Sequence, residues 1–142
     1  MTGGFMRNFI AYLAVGAALL LFDSIWLGMM RSYLYQPEIG SILLPSGFRL
    51  VPAVLFYLLY TGAIVFFAVR PAMEAGHWRP ALVNGVILGL VCYMTYDLTN
   101  YATLAVWSLK VTIYDMIWGM VVTGVSAFAG YFGAAIFSTR AP

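Results

Sequence analysis

Asp23, Asp97 and Asp115 are the residues of this sequence best placed to do chemistry, because each lies inside a long apolar run while Glu38 and Glu74 fall between such runs. An aspartate near the centre of a membrane-crossing helix costs about 2.5 to 3.5 kcal/mol, so three lone ones would cost roughly 8 to 10 kcal/mol. They must be paired, protonated or solvated by a polar cavity. Asp97 is the candidate general acid or base. No Ser or Cys nucleophile stands with a His base, and no His cluster suits a zinc or di-iron centre. Three carboxylates and an amide suit a hard ion in principle, but their spacing is not diagnostic, so neither a metal nor a cofactor is expected.

The elements that must hold these acids follow from composition. The 142 residues are 63% hydrophobic and only 8% charged, against about 25% charged in a soluble domain, which leaves too little polar surface to wrap a water-soluble globule. Four apolar runs, at about 9–30, 50–69, 81–107 and 111–137, each reach the roughly 20 residues that span a bilayer. The expected fold is an all-α polytopic membrane protein, one domain built as a four-helix up-down bundle. Arg70-Pro71 is expected to stop the second span. The 31–49 link, which carries Tyr33, Tyr35, Pro37, Glu38 and an apolar patch at 42–44, is expected to lie as an interfacial loop over one end of the bundle. The scattered net charge of +2 offers no basic patch for nucleic acid. Cys92, being alone, cannot form an internal disulfide and reads as a small apolar filler, and His77 reads as a solvated loop residue.

A rise of 1.5 Å per residue puts Asp23, Asp97 and Asp115 at roughly 10, 15 and 6 Å from one membrane surface, all in the half opposite the N-terminus. On the third span Tyr93, Asp97, Asn100, Tyr101 and Leu104 share one helix face. The second span brings Tyr57, Tyr60 and Thr61 to comparable depth, and the fourth presents Asp115, Trp118, Gly119, Thr123 and Ser126 along one side. The expected product is a polar pocket formed by Asp23, Trp26, Tyr57, Tyr93, Asn100, Tyr101, Asp115 and Trp118, with Arg31, Arg49 and Lys110 as a basic rim suited to a phosphate. Gly85, Gly89 and Gly130 suggest tight packing in the other half. Arg7, Arg70, Arg79 and Arg140 on the N-terminal side outnumber Arg31, Arg49 and Lys110 by four to three, which puts the N-terminus in the cytoplasm. Helix-pairing glue is the plainer reading of any single buried Asp; three at one depth favour a functional pocket.

Tyr96-Asp97-Leu98-Thr99-Asn100, followed by Trp107 and by Asp115-Met116-Ile117-Trp118-Gly119, together with Asp23-Ser24-Ile25-Trp26-Leu27 and Phe56-Tyr57-Leu58-Leu59-Tyr60, resembles the small bacterial membrane proteins of the DUF2177 family over almost the full length. The resemblance implies a four-span protein of a bacterial inner membrane and no established activity. Three functions fit the residues. The first is a lipid-binding protein, as a lipid-modifying enzyme or its component, with a membrane lipid as partner. The second is a proton- or cation-coupled carrier. The third is a partner subunit of another membrane protein, and a homo-oligomer is also compatible with the sequence.

Overall fold

The computed structural model describes residues 2–138, so Arg140, which entered the charge balance, lies outside the described residues. Everything described is helical except the connections at 43–49, 76–78 and 104–108. In chain order the elements are α1 (Thr2–Met30), a π-turn (Arg31–Tyr35), α2 (Gln36–Ile39), a 3-10 turn (Gly40–Ile42), α3 (Leu50–Ile64), a second π-turn (Val65–Val69), α4 (Arg70–Ala75), α5 (Arg79–Thr103) and α6 (Leu109–Ser138). The continuous helical stretches make four candidate spans, Gly3–Ile42, Leu50–Ala75, Arg79–Thr103 and Leu109–Ile136. This is the four-span all-α protein expected from the apolar runs.

Two expectations about the ends of these spans are corrected. The 31–49 segment is not an interfacial loop over most of its length, because the first helix runs on through the π-turn to Ile42. Nor does Pro71 stop the second span. A proline has no N–H for the carbonyl four residues back and crowds it. Here the π-turn immediately before Arg70-Pro71 absorbs the ring, and the orphaned Phe67 carbonyl accepts a hydrogen bond from the Asn84 side-chain amide of α5 at 3.3 Å. The chain turns only at Gly76, whose φ of 74° ends α4 in the left-handed conformation that glycine adopts freely. The Gln36-Pro37 step follows a π-turn in the same way.

The spans are largely apolar on their outer as well as their inner sides, so small residues, more than apolar ones, distinguish the inward faces. The fully buried positions include Ala11, Val15, Ala68, Ala72, Ala81, Ala127 and Ala134, while Phe9, Leu13, Leu59, Phe66, Ile87 and Ile117 face outward, where lipid would meet them. Cys92, read as a small apolar filler, is on that outward surface too. His77 is exposed in the 76–78 connection. The α5–α6 pair is the closest. A Cβ at Gly85 would lie 2.9 Å from that of Ala127, and one at Gly89 would run into the Gly119 carbonyl. Gly130 and Gly133 admit Val15 and Ala14 of α1 in the same manner, which gives α6 a close neighbour on both sides. The tight packing expected of Gly85, Gly89 and Gly130 is therefore present.

Candidate functional site

Antiparallel packing fixes which residues meet. Along the α1–α6 seam Ala14 faces Gly133 and Val15 faces Gly130, so continuing the register brings the Asp23 turn onto Trp118. Along the α5–α6 seam Gly85 faces Ala127 and Gly89 faces Gly119 and Thr123. Carried two turns further, that register sets Asp97 opposite Asp115. The three aspartates thus come to one end of the bundle, with 6%, 0% and 8% of Asp23, Asp97 and Asp115 exposed.

Two of the three are satisfied. Asp23 accepts a hydrogen bond from the Tyr57 hydroxyl at 2.6 Å and another from Trp118 Nε1 at 2.9 Å. Asp115 accepts one from the Tyr35 hydroxyl at 2.6 Å, and that hydroxyl accepts in turn from Trp26 Nε1 at 2.8 Å. The Trp26 and Trp118 rings stack with centroids 4.4 Å apart and 6° between their planes. The Asp-x-x-Trp sequence at 23–26 and at 115–118 therefore works reciprocally: because α1 and α6 run in opposite directions, each indole reaches across to the other helix's carboxylate, directly or through Tyr35. In a hydrocarbon surround every one of these donors needs an acceptor, and the network supplies it. Deeper in the bundle Tyr60 and Thr123 share a hydrogen bond of 2.8 Å between α3 and α6.

Asp97 stands apart from this network. Its side chain is wholly buried, and neither Oδ1 nor Oδ2 has a hydrogen-bond partner among the described residues. Tyr93, one turn earlier on α5, packs against the Gly119 backbone. Its half-buried ring belongs to the edge of the central core. Asn100 is half-buried, but Tyr101 is exposed and Leu104 lies beyond the end of α5, so the stripe foreseen on the third span turns inward only as far as Asn100. The threonines beside it face outward and satisfy themselves: Thr95, Thr99 and Thr103 donate to the backbone carbonyls of Val91, Thr95 and Thr99.

The expected rim is also divided. Arg31 and Arg49 are exposed. Lys110 is exposed as well and pairs at 3.5 Å with Glu38, which accepts a second contact of 2.6 Å from the Ser108 hydroxyl. The extension of the first helix is held there by Leu34 and Ile39 packed on Val111, with Trp107 alongside. Among the described residues no group of three or more His, Cys, Asp or Glu side chains is arranged to hold a metal ion.

Tyr35 is the member of the network that the pattern of residues concealed. Nine residues past Trp26, it would point to the opposite side of an uninterrupted helix, since nine steps of about 100° sum to half a turn. The π-turn spends one residue without advancing the phase, which swings Tyr35 to within about 20° of Asp23. A proline just downstream was the one available signal.

The family model described as a predicted membrane protein (DUF2177) matches residues 8–132. The chain belongs to the DUF2177 family. The match takes in both Asp-x-x-Trp sequences, Tyr35, Tyr57 and Asp97, so the whole arrangement described above lies inside it. Comparison with curated proteins and with solved structures found no match.

Proposed function

We propose that this integral membrane protein binds a membrane lipid or lipid-like molecule through Asp97, and that the molecule's polar group is a cation or a neutral hydrogen-bond donor. The observation that carries the reading is the Asp97 carboxyl, fully buried with both oxygens unpartnered, beside two aspartates whose needs are met. Burying such a group without a donor or counter-charge costs several kcal/mol (order of magnitude), which an incoming donor would offset. Only a membrane-soluble molecule reaches that depth from the bilayer. Among the described residues the buried polar and charged side chains are three aspartates, three threonines and one serine, with no lysine or arginine. An amine or hydroxyl therefore fits the interior, whereas a phosphate held by Arg49 or Lys110 would have to stay outside it. In this reading Asp97 is also positioned to take or give a proton, and turnover of the bound molecule is an extension of binding. We place the protein in a bacterial inner membrane with its N-terminus in the cytoplasm, so that the site lies toward the outer leaflet.

A carrier needs a path through the other half of the bundle, where Gly85 of α5 packs on α6 so closely that a Cβ there would lie 2.9 Å from that of Ala127 and 3.0 Å from the Gly124 Cα. That contact favours binding over transport. The test measures the thermal stability of the purified protein with dodecylamine, dodecanol or dodecyl phosphate, alongside mass spectrometry of total lipids from cells with no protein, the parent or Asp97→Asn. Stabilisation by the amine or the alcohol that is lost in Asp97→Asn is expected, with a lipid species that follows the intact aspartate if turnover occurs. Equal stabilisation by dodecyl phosphate, or full retention in Asp97→Asn, overturns the reading. A stoichiometric membrane protein that co-purifies and covers Asp97 would point to the partner role instead.

A further inference from the structure

The opposite end of the bundle carries a second feature that none of the above uses. A cleft of about 310 Å³ opens on the surface between the start of α1 and the second span, lined by Phe5, Asn8, Phe9, Tyr12, Gly62, Val65, Phe66 and Arg70. We propose that this cleft holds one acyl chain of an anionic phospholipid whose phosphate lies against Arg70.

The walls are those of a chain-binding groove. Phe5, Phe9 and Phe66 are all exposed, by 73%, 49% and 56%, on a surface that the apolar spans turn toward lipid. The Tyr12 hydroxyl, the one polar group at the inner end, is already committed to the Leu58 carbonyl at 2.9 Å. The helical stretches 5–12 and 62–70 run for roughly 10 to 12 Å, most of the ~15 Å depth of one leaflet. Besides Tyr12, the polar side chains of the lining are Asn8 and Arg70, and Arg70 is the lining residue of the second span nearest its C-terminal end. The Arg70 guanidinium lies 5.2 Å from the centre of the Phe66 ring. It has no carboxylate partner among the described residues, where the one ion pair is Lys110 with Glu38. A cation held over a ring in the last turns of a span, beside an apolar groove, complements a phosphate that brings its own hydrocarbon tail. This site is independent of Asp97, which lies at the other end of the bundle.

Gly62 makes the idea testable, because a Cβ there meets nothing closer than Tyr12 Cε2 at 3.9 Å, so a larger side chain can fill the groove without pushing on backbone. The intact chain, purified in mild detergent, is to be titrated with phosphatidylglycerol or phosphatidylcholine and its retained lipid read by native mass spectrometry. The parent should prefer phosphatidylglycerol. Arg70→Gln should lower that preference about tenfold, the loss of one charge-assisted contact. Gly62→Leu should lose retained lipid of both kinds, while Arg79→Gln, outside the cleft, should bind as the parent does. Circular dichroism on each variant verifies the fold. Equal retention of the two lipids by the parent overturns the proposal, as does unchanged retention in a folded Gly62→Leu. A dimer mass with no retained lipid also overturns it, since a second copy would then be the occupant.

Discussion

Removing the side chains of Asp23 and Asp97 should move stability in opposite directions. Asp23→Ala strands the Tyr57 hydroxyl and the Trp118 indole N–H, donors that Asp23 now receives at 2.6 and 2.9 Å. Side-chain hydrogen bonds between membrane helices are worth about 0.6 kcal/mol on average and up to about 1.7, so losing both costs about 1 to 3.5 kcal/mol. The cavity left behind adds about half a kcal/mol for a volume of roughly 25 Å³ at ~24 cal/mol per Å³. Asp97→Ala pays the same cavity cost but loses no bond, because its two oxygens have none. It removes a buried unsatisfied group worth about 1 to 3 kcal/mol, for a net gain of about 0.5 to 2.5 kcal/mol. The two variants should therefore differ by about 2 to 6 kcal/mol. The assay is reversible unfolding in mixed micelles by titration with a denaturing detergent, followed by the fluorescence of the four tryptophans, which include the stacked Trp26–Trp118 pair. Asp97→Ala should need more denaturing detergent than the parent, and Asp23→Ala less. If Asp97→Ala loses as much stability as Asp23→Ala, Asp97 is helix glue and the reasoning behind the proposed site fails. A more stable protein that no longer responds to dodecylamine would be the trade expected of a group kept unsatisfied for a ligand.

Two further outcomes follow from the packing. Gly89→Ala should destabilise the bundle by about 3 kcal/mol or more, because its Cβ meets the Gly119 carbonyl, whereas Gly28→Ala, with nothing within 4 Å, should be neutral or slightly stabilising; equal unfolding midpoints would refute the close α5–α6 contact. Asn84→Leu should cost about 1 kcal/mol by orphaning the Phe67 carbonyl, and adding Pro71→Ala should restore it by returning a backbone N–H; a double variant no better than Asn84→Leu would show that the amide is not the substitute donor.

The four spans were legible in the residues alone, since an apolar run longer than the bilayer is thick permits only a helix across it. That Asp23, Asp97 and Asp115 share one end of the bundle was legible as well, because a fixed rise per residue turns sequence position into distance along each helix. Small residues marked Gly85, Gly89 and Gly130 as contact points for the same local reason. Partners are another matter, because they depend on register between helices far apart in the chain. Residue types showed that three acids had to be satisfied or spared, but not that Asp23 takes Tyr57 and Trp118, that Asp115 takes Tyr35, and that Asp97 is left with nothing. The π-turns were hidden too. Each inserts one residue and rotates everything after it, which is how Tyr35 reaches the site and how the second span passes Pro71. Sequence determined which groups lie on the spans and at which end of the bundle; only the packing of four helices decided which of them still lacks a partner, because hydrogen-bond satisfaction is a property of the interface and not of either helix.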